Sequence, residues 1–362
     1  MQPAMNEHLT GLRCIQCGRL HPVADHPAGC EHCRDQGSAA NLRCEYDDDR
    51  PRLSLTGARS LGEGGTPLFP LPAEVAGLDV WVKNEAANPT GSHKDRFSWG
   101  AVGRAAAAGY AGIAAASSGN AALSLAAYSA AYGLACEVAV TTDIPDALAG
   151  AVRDTGATLH VFDSAEQRWD FLRGRTGDPG TLVVTNYTRP VAGGSPFGID
   201  AMRAIGWEIR SGLQRLPEHV VIPVSRGDLA YGVCLGLQQM ARRHGESCPR
   251  VHLVEPFPRL AAVRAGAGVH DSFTGSAAGT PSIGGDSTTV QALRVLDDTG
   301  GSPVVLSSEV EEARIRLARM GILCEGTSAT VLPAVEELRG RGVAAPGESI
   351  VVVLTSHSFN GL

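Results

Sequence analysis

Lysine is nearly missing from this chain: of the 31 lysine and arginine residues in 362 positions, only Lys83 and Lys94 are lysines. Arginine stays protonated and cannot form an imine, whereas a desolvated lysine amine can lose its proton and attack a carbonyl. The shortage leaves two candidates for Schiff-base chemistry. Surplus positive charge is also missing, and a net charge of -7 excludes a large nucleic-acid-binding surface. Long apolar runs are missing as well. The Ala-rich stretches 101–116 and 121–136 are interrupted by Gly, Ser or Arg before reaching the roughly 20 residues that span a bilayer, which excludes a membrane helix. The N-terminus lacks the basic-then-apolar order of a secretory signal, which predicts a cytoplasmic location.

With 43% hydrophobic and 19% charged residues, the composition is that of a soluble globular protein, and the length predicts two domains plus a small appendage. The appendage is read at residues 1–50. Four of the nine cysteines form Cys14-x2-Cys17 and Cys30-x2-Cys33, with twelve residues between the pairs. Each C-x-x-C turn sets two thiolates on one side of a knuckle, and two knuckles complete a tetrahedron, so the spacing predicts a structural zinc ribbon. His21, His26 and His32 are possible substitute ligands, and Cys44 is a spare. Residues 7–52 hold six arginines against eight acidic residues, so the ribbon offers no basic face to nucleic acid. Residues 34–60, polar and turn-rich around a solvated Asp47-Asp48-Asp49 run, read as a linker.

Beyond residue 60, short β-branched or apolar runs alternate with longer Ala/Leu-rich amphipathic stretches, the pattern of βαβ units and parallel sheets. Strands are expected at 80–83, 112–116, 137–140, 158–162, 182–185, 219–224, 251–254 and 350–354. Helices are expected at 94–108, 120–132, 147–155, 200–210, 229–243, 307–320 and 328–339. Three loops stand at strand-to-helix or strand-end junctions, where an α/β sheet binds ligands. Ser117-Ser118-Gly119-Asn120 presents helix N-terminal amides to a carboxylate or phosphate. Ser225-Arg226-Gly227-Asp228 forms a phosphate cradle to which Arg226 adds charge. Thr355-Ser356-His357-Ser358 follows the last strand.

Taken with Asn88-Pro89-Thr90-Gly91-Ser92-His93-Lys94-Asp95-Arg96, these loops acquire a family likeness. The matching segments are Gly62-Glu63-Gly64-Gly65-Thr66-Pro67-Leu68, Lys83-Asn84-Glu85, the Lys94 loop, Ser117–Asn120, Phe197-Gly198-Ile199-Asp200-Ala201-Met202, Glu325-Gly326-Thr327-Ser328-Ala329 and Leu354-Thr355-Ser356-His357. In this order they resemble the threonine synthase-type members of the tryptophan-synthase-β superfamily, the fold type II pyridoxal-phosphate enzymes. The resemblance covers nearly all the chain, including the N-terminal cysteine ribbon found on many such proteins. It implies an α/β fold with two doubly wound parallel-sheet domains: a large cofactor-binding domain at 51–84 and 190–362, and a small, mobile one at 85–189. It also implies a homodimer and an amino-acid substrate.

Roles follow from the same resemblance. Lys94 would hold pyridoxal 5'-phosphate as a Schiff base and then move protons at the substrate Cα and Cβ. Asn120 would hydrogen-bond the cofactor's 3'-oxygen. Ser117, Ser118 and Gly119 would receive the substrate carboxylate. Ser225, Arg226, Gly227, Asp228 and Leu229 would surround the cofactor phosphate, with Asp228 turned away as a helix N-cap. Thr355 would meet the pyridine nitrogen, leaving it largely unprotonated and suited to elimination and replacement rather than transamination. Lys83 reads as structural.

Departures from the family pattern keep the substrate open. His93 stands where a phenylalanine is usual and fills its volume. Leu148 and Ala151 replace a customary lysine and glutamine. The C-terminal Gly-His-Gly-Leu-Lys is here Ser356-His357-Ser358-Phe359-Asn360. A phosphorylated substrate needs cationic donors, and Arg189 is the candidate that remains. Two substrates follow: phosphohomoserine, converted by a lyase, or serine, phosphoserine or another activated amino acid in β- or γ-replacement.

Overall fold

The computed structural model describes residues 2–72, 74–117, 119–306 and 310–361. They form two compact units, residues 1–63 with 88–202 and 360–362, and residues 64–87 with 203–359.

At the centre of the first unit is a four-stranded parallel sheet in the order Thr158–Phe162, Ala135–Thr141, Gly112–Ala116, Thr181–Val183. Strand order reverses beside Gly112–Ala116, and in an open parallel sheet the carboxyl ends at such a reversal open a ligand crevice. Sheet and helices meet in part through Ala114, Trp169, Leu172 and Val183, all buried. The Lys94–Ala107 helix and the short Pro196–Ala201 helix approach through glycines. A Cβ on Gly100 would stand 2.3 Å from Phe197 O, and one on Gly198 would stand 2.5 Å from the Phe97 ring.

Residues 4–56 add a three-stranded antiparallel sheet of Leu20–His21, Leu9–Cys14 and Leu42–Tyr46. Leu42–Tyr46 corrects the linker reading of 34–60: its alternate residues Leu42 and Cys44 are buried, a half-buried strand rather than a connector. The ribbon is tied into its unit. Arg104 donates two parallel hydrogen bonds to Asp25, at 2.9 and 2.8 Å, and Asp200 accepts from Tyr46 Oη at 2.6 Å and from Ser54 N at 2.9 Å.

A six-stranded sheet forms the second unit, in the order Pro303–Val305, Arg250–Glu255, His219–Pro223, Ser349–Leu354, Asp79–Asn84, Leu68–Pro70, with only the last strand antiparallel. Its reversal lies between His219–Pro223 and Ser349–Leu354, whose carboxyl ends carry the 225–229 loop and Thr355. Ile350, Val352, Leu354 and Val221 join the buried cluster under the Val331–Gly340 helix.

Two helices expected as single pieces are divided. The 200–210 helix is Pro196–Ala201 followed by Arg203–Leu213, and the 328–339 helix is Gly326–Ala329 followed by Val331–Gly340. The 307–320 helix is Val310–Arg319, with 307–309 outside the described residues. Among the described residues, no helix is long and apolar enough to cross a membrane.

Candidate active site

Lys94 is the first residue of its helix, and the loop before it is tied down by its neighbour Asp95. The Asp95 carboxylate, fully buried, accepts from Thr90 N and Ser124 Oγ at 2.6 Å each, and from Thr90 Oγ1. Burial pushes the Asp95 pKa up while these donors pull the other way. Ser124 belongs to the Asn120–Tyr132 helix, so one carboxylate fixes the lysine loop to the helix that carries Asn120. His93 is buried at the N-cap of the lysine helix.

Asn120 opens its helix after Gly119 in extended conformation, and Gly119 N donates to Ser117 Oγ at 3.3 Å. Ser118 lies outside the described residues. A residue without an assigned role enters here: Asn360 Nδ2 donates to Asn120 Oδ1 at 2.8 Å and to Thr90 O at 3.0 Å. Arg189 is about half exposed, with Nε 3.2 Å from Glu166 Oε2 and its guanidinium 4.8 Å from the Trp169 ring centroid.

In the second unit, the loop after His219–Pro223 runs into the 17-residue Asp228–His244 helix through Gly227. Gly227 has φ 86°, and a Cβ there would stand 2.8 Å from Ala292 Cβ, so a residue without a side chain is required. Asp228 is the first helical residue and not the N-cap. Its Oδ1 accepts instead from Gln291 Nε2, which also donates to Arg226 O at 2.9 Å. Thr289 Oγ1 donates to Arg226 O at 2.6 Å. The 285–291 segment therefore shapes the loop, a role that only the fold reveals.

Thr355 closes the last strand against Ser328. Ser328 Oγ accepts from Thr355 N and Ser356 N at 3.0 Å each and lies 2.8 Å from Thr355 Oγ1. The Ser328 hydroxyl proton has two acceptors within reach, Thr355 Oγ1 and Ser356 O, the latter at 3.3 Å. Lys83 is buried, with Nζ donating to Thr66 O and to Glu208 Oε2 at 2.6 Å each. That ion pair is structural, as expected.

The four ribbon cysteines converge. Cys14 and Cys33 sulfurs are 3.6 Å apart and those of Cys17 and Cys30 3.8 Å, with all four within 4.8 Å and no disulfide among them. Zinc–sulfur bonds of about 2.3 Å put tetrahedral sulfurs about 3.8 Å apart. Burial raises the Cys14 and Cys33 thiols above their ordinary range, a cost that a bound cation offsets. His21 Nε2 lies 3.4 Å from Cys30 Sγ, beside the four sulfurs.

These donors suit pyridoxal phosphate. An amine opens a helix on a braced loop, a side-chain-free helix N-terminus offers backbone amides to a dianion, and a hydroxyl donor ends a strand. Ser287 Oγ and Thr288 Oγ1 are buried without a hydrogen-bond partner among the described residues, within the segment that shapes the amide loop. Fold and donor set together define a cofactor-dependent α/β enzyme of the fold type II kind.

The profile of the family described as pyridoxal-phosphate-dependent enzymes matches residues 59–356, and the chain belongs to that family. It is 26% identical to the threonine synthase of Methanocaldococcus jannaschii over 96% of this chain and 92% of that one. To the threonine synthase of Halalkalibacterium halodurans it is 29% identical, over 88% of each chain. Among solved structures, maize serine racemase superposes with a TM-score of 0.70 at 17% identity, covering 81% of this chain and 88% of that one, which places the fold.

Proposed function

We propose that this enzyme is a threonine synthase-like lyase that converts a phosphohomoserine-like amino acid and water to a β-hydroxy amino acid and phosphate. The observation that carries the reading is Lys94 on a loop braced by Asp95, in a chain whose only other lysine is locked to Glu208. The two threonine synthases to which the chain is similar over most of its length support the choice of reaction. Pyridoxal phosphate, when bound, withdraws electrons from the substrate Cα.

Lys94 holds the cofactor covalently and, once released, takes and returns protons at Cα and Cβ. Asn120 donates to the cofactor's 3'-oxygen. Backbone amides of Ser225 to Leu229 take its phosphate, with Arg226 adding charge and Asp228 held aside by Gln291. Thr355 donates its proton to the ring nitrogen and keeps it uncharged. Amides of Ser117, Ser118 and Gly119 orient the substrate carboxylate, and Arg189 meets its phosphate. Atoms balance when the γ-phosphate leaves and water adds at Cβ.

A second reading, β- or γ-replacement on serine, phosphoserine or another activated amino acid, is favoured by one observation. Arg189 is engaged by Glu166 and Trp169, and the position of the customary lysine is a buried Leu148. Phosphate release from O-phosphohomoserine separates the two. Release supports the lyase, while its absence at every concentration, with O-phosphoserine or serine changing the visible spectrum instead, establishes replacement.

The same proposal includes a structural zinc on Cys14, Cys17, Cys30 and Cys33, supported by the sulfur spacing, and a cytoplasmic homodimer. It retains the division into a large domain at 51–84 and 190–362 and a small, mobile one at 85–189. Metal analysis and sedimentation test the zinc and the dimer.

A further inference from the structure

We propose that Asn360 is a positioning residue that sets the orientation of the Asn120 carboxamide. This rests on the reading of Asn120 as the donor to the cofactor's 3'-oxygen.

The orientation follows from hydrogen-bond logic. A carboxamide can be turned by half a rotation with little change in shape, and only its partners decide which end is nitrogen. Thr90 O is a backbone carbonyl and can only accept, so the Asn360 atom 3.0 Å from it is Nδ2. The second proton of that nitrogen goes to the Asn120 atom at 2.8 Å, which must then be Oδ1. With its oxygen so engaged, Asn120 presents its Nδ2–H2 donors on the opposite side of the amide. A donor at that position suits an anionic phenolic oxygen, whereas an acceptor repels it.

The anchor is rigid. Thr90 is itself fixed by Asp95, and Asn360 is seated on Gly91, where a Cβ would stand 2.9 Å from Asn360 Oδ1. The backbone carbonyl therefore selects the orientation of the first asparagine, and the first asparagine selects that of the second.

The experiment uses the enzyme loaded with cofactor and reads the pH titration of its visible absorption in Asn360→Ala, Asn360→Asp, Asn120→Ala and the Asn120→Ala/Asn360→Ala double variant. A donor at the 3'-oxygen favours its anionic form, so loss of that donor raises the pH at which the chromophore gives up its proton. Asn360→Ala is expected to raise the midpoint by about half to one pH unit, the effect of one weakened hydrogen bond. Asn360→Asp keeps the volume but turns both donors into acceptors that attract Asn120 Nδ2, so its upward shift is the larger. In the double variant the shift matches Asn120→Ala alone.

If Asn120→Ala moves the midpoint and Asn360→Ala does not, the positioning role is overturned and the reading of Asn120 stands. A full Asn360 effect persisting without the Asn120 side chain also overturns it. If neither asparagine matters while Lys94→Ala abolishes the covalent chromophore, both assignments fall and the lysine remains. Cooperative thermal melting confirms that the variants fold.

Discussion

Lys94 and Asn360 mark the limits of what single residues declare. Lys94 was legible as a candidate because a rare lysine stood inside a long motif. Asn360 was not, because its partners Thr90 and Asn120 are distant in sequence and a polar tail residue carries no periodicity. Lys94→Ala is expected to abolish the cofactor's covalent attachment and with it the visible absorption band, while the protein still melts cooperatively. Retention of the band would place the attachment elsewhere. Ser328 is a second residue whose role emerged only in three dimensions. Ser328→Ala removes the acceptor for two buried N–H groups and the hydroxyl contact with Thr355, at a cost of about 1–3 kcal/mol for each unsatisfied group. Its urea midpoint is expected to fall, and catalysis to weaken more than substrate binding.

At the level of elements, the strands and helices that surround the loops were readable because short β-branched or apolar runs alternate with longer Ala/Leu-rich stretches. Gly112–Ala116, Thr158–Phe162 and Asn120–Tyr132 lie at the expected bounds. The Ala165–Arg175 helix escaped notice because only Trp169 and Leu172 of its eleven residues are buried, too few to trace a face. The break after Ala201 was equally hidden, since Pro196 at the helix start and the close approach of Gly100 to Phe197 are tertiary matters.

Glycine contacts give the prediction at this scale. Gly227→Ala is expected to strain a φ of 86° and push a methyl into Ala292, so cofactor affinity in a titration of the cofactor-free protein should drop at least tenfold, the equivalent of about 1.4 kcal/mol. Unchanged affinity would remove the loop from the phosphate site. The ribbon yields another. Cys33→Ser should lower bound zinc, measured by metal analysis, and lower the thermal midpoint. Asp25, which pairs with Arg104 on the lysine helix, lies between the two cysteine knuckles.

Across the whole molecule, a buried histidine pair makes stability depend on pH. Ser302 N donates to His252 Nδ1 at 3.2 Å, so His252 Nε2 carries the proton and donates to His219 Nδ1 at 2.9 Å. His219 Nε2 lies 2.9 Å from Glu348 Oε2 and 3.1 Å from Arg250 Nη2. Arg250 can only donate, so this buried ring faces a cation as well as a carboxylate. Burial lowers the His219 pKa and takes His252 down to about 3, with Arg250 opposing protonation of both.

The unfolded chain binds these protons near pH 6.5, well above the folded state. Stability is therefore complete above that pH and declines as the pH falls toward about 3, at about 1.4 kcal/mol per pH unit for each proton taken up. Urea midpoints measured at pH 7 and pH 5 are expected to show the decline, and His252→Gln should flatten it. Equal slopes in both proteins would exclude the pair.

The sequence by itself determined the cofactor class, the alternation of strands and helices and the cysteine knuckles, because these rest on local spacing and on residue types that few others can replace. Only the tertiary structure decided that Ser328 serves two N–H groups of the last strand's end, that Asn360 bonds Asn120, and that Leu42–Tyr46 is a strand rather than a linker. Hydrogen-bond direction and close helix approach depend on atoms far apart in the chain, and composition carries no trace of the distance between them.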